Sequence, residues 1–175
     1  MADETESVGE ARAELWNDDV AGSRYPADTS AAQATLLDQY KVYVEMADRV
    51  SQRRGLANTF FLTINTSIFT AVGIFWKGDP GDTEWWLVFP LIAVLGQCGA
   101  WFYLLRSYRL LNSAKFLIVG LLEERLPASP YAAEWTALGK GEDFKRYWPL
   151  SHIEKWVPIL FAVAYLCAYL TLQLN

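Results

Sequence analysis

The stretch Leu56–Trp76, LANTFFLTINTSIFTAVGIFW, decides the fold. It contains no charged side chain, and a helix of about 20 residues at ~1.5 Å rise per residue matches a ~30 Å hydrocarbon core. Two further stretches share these properties, Trp85–Tyr103 (WWLVFPLIAVLGQCGAWFY) and Trp156–Leu174 (WVPILFAVAYLCAYLTLQL). They predict an all-α integral membrane protein with three transmembrane helices and a helical cytoplasmic layer. That reading excludes most soluble-enzyme classes.

Orientation follows from the basic residues. Every Lys and Arg except Lys77 lies before the first stretch or between the second and third. Basic residues near span ends stay in the cytoplasm, whereas Asp and Glu contribute little, so the net charge of −5 does not disturb the rule. The amino terminus is therefore expected inside and the carboxyl end outside. In chain order the sequence divides into an acidic, disordered or loosely docked tail (1–29), a cytoplasmic helix leading into the first span (30–55), transmembrane helix 1 (56–76), an external hairpin (77–84), transmembrane helix 2 (85–105), a cytoplasmic helical segment (106–155) and transmembrane helix 3 (156–174). Trp76, Trp85 and Trp86 are expected in an outer aromatic belt, and Trp101, Tyr103, Tyr108 and Trp156 in an inner one. With no apolar core near Met1, the first span is expected to direct insertion itself.

Outside the spans, Leu36, Leu37, Tyr40, Tyr43, Val44, Ala47 and Val50 recur at helical steps, uninterrupted by Pro or Gly. In the tail only Leu15 and Trp16 offer an anchor. The run Phe116–Leu122 is too short to span and is expected to pack on the Leu36–Val50 stripe. Pro127 stops its helix, a short one is expected over Tyr131–Leu138, and Ser151–Glu154 has the capping-box spacing before the third span.

The first span is unusually polar. Thr59, Thr63, Thr66, Thr70 and Gly73 recur at steps of three and four, so they share one stripe, with Asn58 and Asn65 bordering it. Polar groups in hydrocarbon need a neighbouring helix or water. The stripe is thus either a helix–helix seam, within or between protomers, or the lining of a path at the centre of an oligomer. Ala93, Gly96, Gln97 and Ala100, and Ala164, Cys167, Ala168 and Thr171, read as packing faces without ionisable groups. Arg49, Arg53, Arg54, Arg106 and Arg109 are placed to meet anionic headgroups at the inner surface, a better fit than nucleic acid.

No enzyme signature is found. The chain has no Gly-rich phosphate loop, its single His152 lacks metal-ligand neighbours, and Cys98 and Cys167 both fall within spans. Glu123 and Glu124 read as a solvated face. Neither catalysis, a cofactor, a metal nor nucleic acid binding is expected.

The segment Tyr40–Arg54 (YKVYVEMADRVSQRR) followed by Ala57–Leu62 (ANTFFL), together with Ser107–Phe116 (SYRLLNSAKF), Glu134-Trp135 and His152–Pro158 (HIEKWVP), resembles the RipA-family octameric membrane proteins of bacteria. The resemblance covers most of residues 36–160 and leaves out the acidic tail. The layout is also similar to the SLATT class of small membrane effectors, which act in bacterial conflict systems. These resemblances imply a bacterial inner-membrane homo-oligomer of eight copies, without enzymatic activity or an established ligand. The expected function is to form or gate a membrane passage as a defence or stress effector. The alternative is a non-conducting scaffold recruiting a soluble partner through its cytoplasmic helices.

Overall fold

The computed structural model describes residues 2–17, 30–75, 87–139 and 153–174. Among them every regular element is a helix: α1 (Ala2–Leu15), α2 (Ser30–Phe75), α3 (Val88–Glu123), α4 (Pro130–Ala137) and α5 (Trp156–Leu174). The external hairpin, Trp76, Trp85, Trp86, and the Ser151 and His152 part of the capping box lie outside the described residues.

Helix α2 runs for 46 residues without interruption, about 69 Å at ~1.5 Å per residue. That is more than twice a ~30 Å hydrocarbon core, so much of it projects beyond any bilayer it crosses. Helix α3, at 36 residues, is ~54 Å long. Both are long and apolar enough to cross a membrane, and α5 holds a shorter apolar stretch, Trp156–Thr171. Only 6% of the most apolar window of α2 and 17% of that of α3 is buried within the chain. Soluble monomers do not leave such continuous apolar surface open to water. The exposed side chains include Leu56, Phe60, Ile74, Phe89, Ile92 and Leu160.

The chain divides into two compact units. The first comprises Met1–Ser51 and Leu110–Trp148, the second Gln52–Arg109 and Pro149–Asn175. In the first, Ala47, Val119, Leu121 and Leu122 are buried, while Leu37 from the expected apolar stripe stays 42% exposed. The Lys115 ammonium lies 4.7 Å from the Tyr43 ring centre. Its alkyl stem is buried, as long cationic side chains permit when the head finds an aromatic face.

The amino-terminal segment corrects the expectation of disorder. Ala2–Leu15 is helical, consistent with the helix propensity of its Ala and Glu residues. Arg12 pairs with Glu124 at 2.7 Å, and the Arg125 guanidinium lies 3.4 Å from the Trp16 ring centre. Of the two expectations for the tail, disordered or loosely docked, these contacts support docking, with Trp16 among the residues that anchor it.

In the second unit, Trp101 is fully buried. Its ring stacks on Phe61 at 5.7 Å and meets Phe161 at 6.1 Å. Trp101 is therefore a packing residue of this unit, not a member of an aromatic belt. Tyr103 and Trp156 are exposed.

Candidate functional site

The polar residues of α2 fall on two stripes, not one. Arg54, Asn58, Phe61, Asn65 and Ile68 recur at steps of four and three, and all are buried or half-buried. At ~100° per residue this stripe lies roughly 140° around the helix from the Thr59–Gly73 stripe. Asn58 and Asn65 thus depart from the expected lining or inter-protomer seam, because both are committed within the chain.

Asn65 is completely buried. Its Nδ2 donates to the Phe61 carbonyl at 2.8 Å. Its Oδ1 accepts from the Tyr165 hydroxyl at 3.3 Å and the Cys98 thiol at 3.6 Å. Tyr165 also donates to the Asn65 backbone carbonyl at 3.0 Å, and its ring meets Phe69 edge-on at 5.7 Å. One amide therefore ties α2 to α3 and α5. Asn58 Oδ1 accepts from the Trp101 indole at 3.1 Å. These contacts satisfy the interior polar groups that hydrocarbon would otherwise penalise.

The second stripe is different. Thr59, Thr63, Thr66, Thr70 and Gly73 are all exposed on the single chain, and a Cβ added at Gly73 would meet nothing within 4 Å. Thr70 Oγ1 donates to the Thr66 carbonyl at 2.8 Å, a local bond that leaves the stripe's outer face available. The small residues Gly96 and Gly99 of α3 are likewise open.

The five arginines expected at headgroup level also separate. Arg49 is exposed and pairs with Glu45 one turn earlier at 2.7 Å, and Arg53 is exposed. Arg54 is half-buried and pairs with Glu154. Together with Arg106, Arg109 and Lys155 it lines a cavity of ≈ 240 Å³ walled by Phe102 and Leu105.

Sequence reasoning missed Glu123, which is 1% exposed. Its carboxylate accepts from the Tyr40 hydroxyl at 3.0 Å, the Tyr131 N–H at 3.0 Å and the Ala132 N–H at 3.2 Å. It thereby caps α4, whose own residue Ser129 makes no side-chain cap bond. The first N–H groups of a helix need acceptors, and a carboxylate there also complements the helix dipole. Burial first, then the hydrogen bond to Glu123, pushes Tyr40 up to about 12 from 10.0. Tyr131 is raised as well, chiefly by burial and then by Asp48. Glu124, next along the helix, is exposed. The solvated-face reading holds for it and is overturned for Glu123. Ser129 reads as a sufficient cap before Pro130, so the sequence carried no signal for Glu123.

Among the described residues no group of three or more His, Cys, Asp or Glu side chains is arranged to hold a metal ion. The sequence model of the octameric membrane protein family (8xMP) matches residues 37–174. The chain belongs to the octameric membrane protein family. Nearly all of α2, α3, α4 and α5 falls inside the match, and α1 falls outside it. This 8xMP chain is therefore a homo-oligomeric membrane protein. No curated protein and no solved structure matches it.

Proposed function

We propose that this 8xMP chain assembles as eight copies in the bacterial inner membrane and forms or gates a passage, acting as an effector in a defence or stress system. Three spans cross the bilayer, with the amino terminus cytoplasmic and the carboxyl end external. The one-sided Lys and Arg distribution supports this orientation, and the family name supports the copy number. The role is non-catalytic and requires no cofactor.

One observation carries the reading. The chain uses Asn58 and Asn65 internally, yet leaves the whole Thr59–Gly73 stripe on its surface. Hydroxyls gain little from lipid tails and more from water or a second protomer. A ring of copies turning this stripe inward would line a polar path.

A second reading has its own support. In the first unit a groove of ≈ 540 Å³ lies among Leu15, Thr35, Val42, Tyr43, Ile118 and Leu122. Such a groove suits a scaffold that recruits a soluble partner. Thr66→Leu separates the two. In a conducting ring it blocks ion flux in liposomes and leaves the oligomer's mass unchanged, since a hydrophobic constriction resists wetting. Loss of assembly, with no flux from the parent protein, would end the passage reading in favour of the scaffold.

A further inference from the structure

The cavity of the second unit lined by Arg54, Arg106, Arg109 and Lys155 does not serve a passage along the Thr stripe. The geometry points to it as a binding site for the phosphate of an anionic membrane lipid. Three helical segments contribute: Arg54 from α2, Arg106 and Arg109 from α3, and Lys155 from the turn before α5. In sequence, Arg54 and Lys155 immediately precede apolar stretches, and Arg106 follows one. No acidic side chain is among the described residues lining the cavity.

Two features specify the ligand. Arg54 is held by Glu154 through one end of its guanidinium, while its Nε is buried without a hydrogen-bond partner. A phosphate oxygen is the acceptor that guanidinium geometry fits best, and the exposed Arg106 brings a second guanidinium to the same cavity. Phe102 and the buried Leu105 form an apolar wall to the same cavity. Inorganic phosphate has no use for that wall, whereas the glycerol and acyl portions of a lipid do. The volume of ≈ 240 Å³ accommodates a headgroup and excludes the chains, which would run along the exposed apolar helices.

The inference rests on the proposed topology, in which these helix ends share the cytoplasmic membrane surface. The test is native mass spectrometry of the full chain in neutral detergent, titrated separately with phosphatidylglycerol, phosphatidylcholine and inorganic phosphate. Phosphatidylglycerol should be retained in preference to phosphatidylcholine. Each of Arg106→Gln and Lys155→Gln should weaken retention roughly fivefold, and the double variant about 25-fold, on a scale of ~1 kcal/mol per surface cation. Arg106→Lys should restore much of the loss. Arg49→Gln, which removes a basic residue outside the cavity, should change nothing.

Equal retention of both lipids, or parental retention by the double variant, would overturn the assignment. So would saturation by inorganic phosphate with no retention of phosphatidylglycerol. The same spectra report assembly. A monomer that still retains phosphatidylglycerol through Arg106 and Lys155 would overturn the eight-copy reading and leave the lipid site standing.

Discussion

Among the described residues, Glu123 of the first unit and Asn65 of the second are the most deeply buried polar side chains, and the two solutions differ in kind. The first buries Glu123 and surrounds it with the Tyr40 hydroxyl and two N–H groups at the start of α4. The second buries Asn65, whose amide N–H donates to the Phe61 carbonyl of its own helix and whose Oδ1 accepts from Tyr165 and Cys98. A carboxylate is expensive to desolvate and repays that cost only with several charge-assisted bonds. A neutral amide carries a smaller penalty, which a few neutral hydrogen bonds offset, and suits a segment surrounded by hydrocarbon. The contrast shows that the chain places a buried acid where a helix terminus can neutralise it, and a buried amide where none is available.

The largest expected effect comes from removing the acid. Glu123→Ala leaves the Tyr40 hydroxyl and two α4 N–H groups without their acceptor in a closed site. A lost cap typically costs ~1 kcal/mol, and with an unsatisfied buried donor the total should be about 3 kcal/mol. Hydrogen exchange should speed up first across Pro130–Ala137. If α4 stays protected in Glu123→Ala, the capping account fails. Glu123→Gln keeps one acceptor oxygen and should fall between the variant and the parent.

Asn65→Ala should cost less, about 1 kcal/mol, in line with interhelical hydrogen bonds measured in membranes. The reason is specific. Tyr165 still has the residue-65 backbone carbonyl at 3.0 Å as an acceptor. Tyr165→Phe should then be similar in cost, and Asn65→Ala with Tyr165→Phe less than the sum of the two. Strict additivity in a thermal or denaturant series would break the network interpretation.

Much of this was legible in the sequence. The apolar stretches revealed an all-helical membrane protein, and the helical steps placed α2 and α3 across their lengths. The two stripes on α2 were harder, because Asn58 and Asn65 repeat with the same steps as the threonines. Phase separates them, and Arg54, Phe61 and Ile68 supply it only when counted with the asparagines. Glu123 was not legible as buried: its partner Tyr40 lies 83 residues earlier. The α1 helix was hidden for a similar reason, since an acidic composition says nothing of the Arg125 guanidinium that meets Trp16.

The smallest effect, and the one that isolates charge from packing, is Tyr40→Phe. It keeps the ring and removes one of three donors to Glu123, so at neutral pH the loss should be about 1 kcal/mol or less. The pH profile is more discriminating. Tyr40 is pushed up to about 12 in the folded chain, against 10.0 when unperturbed. The folded state therefore favours the protonated phenol more than the unfolded state does. This contribution is complete below pH 10 and is lost as pH rises through about 12, when the phenolate forms beside the Glu123 carboxylate. Helicity followed by circular dichroism should fall more steeply between pH 10 and 12 in the parent than in Tyr40→Phe. Tyr131 is also raised, so Tyr131→Phe serves as the reference for phenol ionisation elsewhere in the same unit. Coincident profiles for the parent and Tyr40→Phe would mean that the Tyr40–Glu123 bond does not hold the first unit closed, leaving the two α4 N–H groups as the partners that make Glu123 tolerable there.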